Sequence, residues 1–213
     1  MNQPIVFVSG SKGGVGKSIT TMAVLDYLIA EHRYLRLVES DTTNPDVWKS
    51  YGRSVESDVV DLDQVDGWIQ LVNLCDANPF KVVVVNTPAR NNDAVREHGG
   101  ILADALKELG RQLITLWVIN RQRDSLELLS GYLELMPAGV AHVVRNGYFG
   151  DESKYELYER SSLPETIQQQ GGKSLFLPDL ADRGTDELYS RRNRVELQRW
   201  RASVREMLTQ AGI

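Results

Sequence analysis

One cysteine, Cys75, among 213 residues excludes an internal disulfide framework and any metal cluster built on cysteine alone. Seven prolines and 17 glycines are too few for a collagen-like or low-complexity chain, and 42% hydrophobic residues are too many for a disordered one. No apolar run approaches the ~20 residues that a transmembrane helix needs. The first residues show neither a basic leader nor a small-residue cleavage site, so no signal peptide is expected and the chain reads as cytoplasmic. An excess of basic charge is also missing. With 24 Lys+Arg against 29 Asp+Glu the net charge is −5, so the whole molecule is no polycation built for nucleic acid, although a local patch stays open. His32, His98 and His142 share no ligand spacing, which leaves no metal to expect from them.

What is present is a repeated alternation. Pro4-Ile5-Val6-Phe7-Val8 is a β-rich run that stops at Ser9-Gly10-Ser11-Lys12-Gly13-Gly14. From Lys17 the apolar spacing turns helical, through Met22, Leu25, Leu28 and Ile29. Further strand-like runs are Leu35 to Val38, Val82 to Val85, Leu113 to Ile119, Val140 to Val144 and Ser174 to Leu177, with an amphipathic stretch from Ser125 to Met136. Val82 to Val85 is β-branched throughout, as in a central parallel strand covered on both faces. A long helix is expected from about Val195 to Ala211, with Trp200, Val204, Leu208 and Ala211 on one face. Strands alternating with helices predict an α/β fold with a mostly parallel central sheet flanked by helices. No repeat or linker divides the chain, so one domain over 1–213 is expected, with a basic C-terminal helix at about 190–211. In such sheets ligands sit at the carboxyl ends of the strands. The glycine loop, Glu39-Ser40-Asp41, Asn86-Thr87-Pro88 and Asn146 each follow an apolar run and should meet at one rim.

Ser11-Lys12-Gly13-Gly14-Val15-Gly16-Lys17-Ser18 carries the strongest signal. Glycines let a backbone wrap close to a phosphate at the start of a helix. Lys17 would bring a cation to the β- and γ-phosphates, and the Ser18 hydroxyl would ligate Mg²⁺. The ordinary phosphate-loop pattern opens on glycine where this chain has Ser11, but the loop does follow a strand and open a helix. The alternative is a glycine-rich turn that merely joins the two.

With a second lysine, Lys12, before Gly13-Gly14, this box resembles the deviant Walker A box of the ParA/MinD family of dimerising ATPases, P-loop NTPases of the SIMIBI type. The resemblance implies ATP or ADP with Mg²⁺ held by residues 11–19 (Ser11, Lys12, Gly13, Gly14, Val15, Gly16, Lys17, Ser18 and Ile19). It also implies that Lys12 reaches across a two-fold interface to the partner's nucleotide, while Lys17 acts within its own subunit. The bland alternative for Lys12 is a solvated loop lysine. Asp41 is similar in position to the second of the family's two acids after the second strand; there it would orient the attacking water or hold magnesium-bound water. Its alternative is a turn former before Asn44-Pro45. Val82 to Val85 followed by Asn86-Thr87-Pro88 resembles the Walker B strand, but Asn86 stands where the family has Asp. A neutral amide there should weaken metal binding and slow hydrolysis, with Glu39 or Asp41 as compensating acids. Asn146 looks like the family's strand-end Asn that reads the adenine edge, with a turn role as its alternative. Pro178 and Asp179 are similar to the loop flanking the base. Asn86-Thr87-Pro88, Asn146-Gly147-Tyr148-Phe149-Gly150 and the short length resemble the plasmid stability and mobilisation branch (StbB- or MobD-like).

Arg183, Arg191, Arg192, Arg194, Arg199, Arg201 and Arg205 crowd the C-terminal segment. Arg194, Arg201 and Arg205 fall near one helix face and would meet the phosphates of non-specific DNA, as ParA relatives do on the nucleoid. A solvated face paired with Glu187, Glu196 and Glu206 is the equal alternative. No terminal Phe/Leu-rich amphipathic tail is visible, so membrane attachment is not expected. Trp68, Trp117 and Trp200 read as packing residues, Trp48 as a neighbour of the first switch loop, and Cys75 as a buried apolar residue. The function expected is an ATP-dependent dimerising switch with weak hydrolysis, stimulated by a partner protein and serving plasmid partition, stability or mobilisation or the positioning of a cargo. The alternatives are a nucleotide-locked adaptor that hardly hydrolyses ATP, and a P-loop metabolic enzyme.

Overall fold

Four consecutive valines leave no polar face, and the fold uses both faces. Val83 and Val85 enter one hydrophobic cluster and Val82 and Val84 the other, because successive side chains of a strand point to opposite sides. Each buried valine contributes about 1.5–3 kcal/mol relative to exposure. The structure is a computed structural model that describes residues 2–10, 12–89, 92–180 and 194–213, apart from the side chains of residues 194 and 195. Its strands are β1 (Ile5–Ser9), β2 (Leu35–Glu39), β3 (Ser57–Val59), β4 (Val82–Asn86), β5 (Leu113–Ile119), β6 (Val140–Asn146) and β7 (Ser174–Leu177). They form one seven-stranded sheet in the order β3-β2-β4-β1-β5-β6-β7, parallel at every pairing. The expected α/β architecture with a parallel central sheet is what the chain adopts.

The helices are α1 (Lys17–Ala30), α2 (Asp46–Tyr51), α3 (Val65–Ala77), α4 (Asn92–Leu109), α5 (Arg123–Leu135), α6 (Glu156–Glu159), α7 (Leu163–Gln169) and α8 (Arg194–Gln210). On one side of the sheet α3, α4 and α5 bury Trp68, Leu102 and Leu129. On the other, α1 and α8 bury Leu25, Leu28, Trp200 and Leu208. The long C-terminal helix thus seats the face formed by Trp200, Val204, Leu208 and Ala211 against the sheet and α1. Of the residues that mark the helical spacing of α1, Ile29 is 43% exposed, because the buried face of α1 runs through Thr21, Val24, Leu25 and Leu28. The edge strand β3 is three half-exposed residues and carries no hydrophobic run to announce it. Trp68 and Trp117 are fully buried, and burial pushes the Cys75 thiol up to about 11.

At the amino ends of the strands, Arg111 is buried with its guanidinium in a cage of carbonyls. It donates to Gln3, Cys75 and Lys81 at 2.7 Å and to Pro4 and Asn78 at 3.1 Å. Five donors in one rigid plane suit arginine and no other side chain. Arg111→Met should therefore lower unfolding free energy by about 3 kcal/mol, since five carbonyls, one buried and four partly buried, lose this donor together; urea titration reads the loss.

His142 ties β6 to the segments beside it. Its Nδ1 accepts from the Lys173 amide at 3.1 Å, and its ring bonds the Ala211 carbonyl beyond α8. Burial, with Lys173 adding to it, pushes the imidazolium down to about 4. Below pH ~6.5 the unfolded chain takes up a proton that the folded chain refuses. The stabilisation from neutral His142 is thus complete above ~6.5 and lost as pH falls toward 4, by at most about 3 kcal/mol. Urea unfolding at pH 7.5 and pH 5 should show a smaller acid loss in His142→Gln than in the wild type.

Candidate functional site

Because every strand is parallel, their carboxyl ends meet at one rim. Register aligns Val8 with Asn86 and Glu39 with Asn86, so the ends of β1, β4 and β2 sit side by side. Gly10 follows β1, and residues 12–16 lead into α1. Gly10 lies so close to β5 that a Cβ would stand 2.7 Å from the Val118 carbonyl oxygen. Gly16 has φ +105°, and a Cβ there would meet the Asn146 amide nitrogen at 2.2 Å. Helix α1 has no side-chain N-cap and no acidic residue in its first turn, which leaves its first N–H groups to a solvent molecule or an anion. This is the phosphate-loop arrangement expected from the sequence.

Lys17 is buried at 7% exposure, and its Nζ donates back across the loop to the Lys12 carbonyl at 3.0 Å. Burial pushes its ammonium below the ordinary lysine range, and the Asp41 carboxylate opposes that fall. Ser18 and Ile19 follow on the first turn of α1, Ile19 facing the cleft described below. The Val15 side chain is in the core. Gly13 is open, with nothing within 4 Å of a Cβ, and Gly14 takes φ +78°. Ser11 lies outside the described residues. The Lys12 ammonium forms an ion pair with Asp124 in the first turn of α5; both side chains are about two-fifths exposed. The other Asp124 oxygen, Oδ1, is buried without a hydrogen-bond partner among the described residues.

Asp41 forms the turn weighed for it and also faces Lys17. Its Oδ1 accepts from the Asn44 amide at 3.0 Å, closing a turn, and its charge acts on Lys17. Asn86 is held at both ends of its amide. Nδ2 donates to Glu39 Oε1 at 2.7 Å, and Oδ1 accepts from the Thr21 hydroxyl at 2.9 Å. Its partner on α1 is therefore Thr21. Glu39 is fully buried, and burial pushes its carboxyl above the usual range against the bonds from Asn86, Asp41 and Trp48.

Asn146, Pro178 and Asp179 come together as expected, on a cleft of about 220 Å³ that also takes in Gly14, Gly16, Tyr148 and Trp200. Asn146 spends its amide on the scaffold: Nδ2 donates to the Val15 carbonyl at 2.8 Å, and Oδ1 accepts from the Tyr148 amide at 3.1 Å. It pins β6 to the phosphate loop and forms the turn weighed for it. Arg145, paired with Glu152 and Glu159, and Tyr155, bonded to the Asn146 carbonyl at 2.6 Å, hold the segment after β6. Trp200, expected as a packing residue, also closes this cleft and donates to the Pro178 carbonyl at 2.9 Å.

The basic stripe is placed otherwise than expected. Arg201 makes a two-fold contact with Asp26 at 2.6 and 2.8 Å, and Arg205 pairs with Glu31, both acids on or at the end of α1. Those guanidinium groups clamp α8 to α1, so the paired alternative describes them, with acids from a different helix. The side chain of Arg194, and Arg183, Arg191 and Arg192, lie outside the described residues. Thr21, Asp124 and Tyr148 escaped the sequence reading as site residues. Thr21 follows Lys17 by one helical turn, a spacing that does signal it; nothing local marks Asp124.

The parallel sheet with a glycine loop opening α1 at its rim defines a P-loop NTPase fold. No family model matches the chain. Protein MobD of Acidithiobacillus ferrooxidans is 51% identical over 98% of this chain and 97% of its own length, so the chain belongs to the MobD family. Among solved structures, the cell division protein MinD of Aquifex aeolicus shares the fold at TM-score 0.58 and 14% identity, over 97% of this chain and 96% of its own. A nucleotide-binding protein of Archaeoglobus fulgidus in complex with ADP matches at TM-score 0.52 and 12% identity, over 97% of this chain and 88% of that one. The signal recognition particle receptor FtsY of Elizabethkingia anophelis matches at 0.59 and 13%, over 94% of this chain, which spans 65% of the FtsY chain. Among the described residues no helix is long and apolar enough to cross a membrane.

Gly16→Ala should destabilise the fold by about 1–3 kcal/mol, because φ +105° and the Asn146 amide both reject a Cβ. Gly13→Ala, in open space, should stay near wild type in the same thermal unfolding experiment.

Proposed function

We propose that this protein binds ATP with Mg²⁺ and works as an ATP-dependent dimerising switch with weak hydrolysis. The observation that carries the reading is the pair of lysines on one loop. Lys17 is buried inside the loop, its charge answered in part by Asp41 and the Lys12 carbonyl and ready for an anion, and Lys12 stands outside it on an exposed ion pair. An exposed pair is worth only about 0–1 kcal/mol, so Asp124 releases Lys12 at little cost. Released, Lys12 would meet the nucleotide of a second subunit and stabilise charge on the phosphates there.

The residues present fit a magnesium ion. A hard cation takes oxygen ligands, and the Ser18 hydroxyl and the Asp41 carboxylate supply them beside Lys17. Mg²⁺ would neutralise phosphate charge and order the bound triphosphate. The adenine would enter the cleft bounded by Tyr148, Pro178 and Asp179. The MobD name of the 51% identical relative supports a mobilisation role among those considered, over partition or cargo positioning. A stimulating partner protein completes the switch, since chemistry this slow needs a trigger. Non-specific DNA is a weaker partner in this reading, because Arg201 and Arg205 are already paired.

One observation favours a second reading, a nucleotide-locked adaptor. The end of β4 carries a neutral amide fixed between Glu39 and Thr21, so no carboxylate stands there to hold magnesium-bound water. Molar mass by light scattering, with Mg²⁺ and ADP, ATP or a non-hydrolysable analogue, separates these readings when phosphate release is followed in parallel. Mass should double with ATP or the analogue in the wild type and stay monomeric in Lys12→Ala, which still binds ATP, while Lys17→Ala should lose binding. A mass indifferent to nucleotide rejects the switch; doubling without any phosphate release supports the adaptor.

A further inference from the structure

Glu39 is fully buried, and both of its carboxylate oxygens accept backbone or amide N–H groups. Oε1 takes the Asn86 amide at 2.7 Å and the Asp41 backbone N–H at 3.0 Å; Oε2 takes the Trp48 backbone N–H at 3.3 Å. One side chain thus anchors both ends of the 41–48 segment. On its other side the line continues inward, since the oxygen of Asn86 accepts from the Thr21 hydroxyl, which also lies 3.0 Å from the Lys17 carbonyl. A hydroxyl has one proton, so Thr21 serves either Asn86 or the backbone of the phosphate lysine fully, not both. Bonds in such a buried line polarise one another, and a change at one end alters the next.

We propose that Glu39 is a positioning residue that carries the state of the phosphate loop, through Thr21 and Asn86, to the 41–48 segment. The proposal rests on the phosphate-binding reading given above. It also explains why β4 ends in an amide. Asn86 must accept from Thr21 and donate to Glu39, and an aspartate there would set two carboxylates 2.7 Å apart in the core. Half-exposed Trp48, at 43%, is where the line reaches the surface, beside the rim that a second subunit would meet.

Hydrogen–deuterium exchange of a peptide covering residues 40–51 tests this in the full chain, without nucleotide and with AMP-PNP and Mg²⁺ at a concentration found saturating by calorimetry. The Thr21 hydroxyl bonds Asn86 and the Lys17 carbonyl, neither of them in that peptide, and Thr21→Val keeps the side-chain shape, so a merely local role for Glu39 predicts no effect. Without nucleotide, Thr21→Val and Glu39→Gln should each speed exchange of the Asp41 and Trp48 amides by about threefold or more. With AMP-PNP the wild-type peptide should slow, and both variants should lose at least half of that slowing. Wild-type exchange in Thr21→Val overturns the relay and leaves Glu39 a local anchor. Wild-type binding of AMP-PNP without any change in the peptide overturns it too, while the nucleotide reading stands. Failure of the wild type to bind AMP-PNP overturns the nucleotide reading, and the nucleotide-free comparison then decides the Thr21–Glu39 coupling by itself.

Discussion

A lysine ammonium held at 7% exposure inside a ring of glycines is the constraint on which the rest of the rim depends. Taking that charge out of water is costly, and the carbonyl of Lys12 answers only part of the loss. The neighbouring strands answer the remainder. Asp41 faces Lys17 from the end of β2, while Glu39, Asn86 and Thr21 form a buried polar line whose members satisfy one another. Asn146 completes the support from β6 by holding the Val15 carbonyl. The loop is therefore shaped by the ends of three neighbouring strands, β2, β4 and β6, and its geometry is a property of the sheet as much as of the glycines.

How far this was legible in the sequence follows from the range of each interaction. Val82 to Val85 and the run from Lys17 announce their elements because burial on two faces, or on one helical stripe, is written in adjacent residues. The phosphate loop is equally local. Hidden were the pairings between distant segments. Arg201 and Arg205 read as a phosphate-facing stripe until Asp26 and Glu31 are seen opposite them, some 175 positions away in sequence. Asp124 meets Lys12 only because α5 starts beside the rim. Strand β3 was invisible for another reason: three half-exposed residues at a sheet edge need no hydrophobic signature.

The departures from the ParA/MinD pattern also gain a physical sense. Asn86 in place of an acid looks like a loss when strand β4 is considered alone. Beside Glu39 in register, the amide is the group that lets a buried carboxylate and a buried hydroxyl share one end of the sheet. Asn146, likewise, is a bracket between β6 and the loop, with both ends of its amide bonded within the protein at the edge of the cleft. Both positions hold the rim together through a neutral amide that donates and accepts at once.

The strand order has a consequence for how the chain is made. β1 leaves the ribosome first, yet it lies between β4 and β5, whose matching residues are synthesised 78 and 108 positions later. Until β4 arrives, the strand that leads into the loop has no hydrogen-bonded neighbour, and until β5 arrives Gly10 has no β5 backbone to pack on. A nascent chain shorter than about half its length thus carries the complete phosphate-loop sequence without its shape. Non-local pairings of this kind form slowly, because loop closure must precede the contacts that reward it. The phosphate-loop rim is consequently assembled late, and a truncated product would carry the loop residues without the strand ends that shape them.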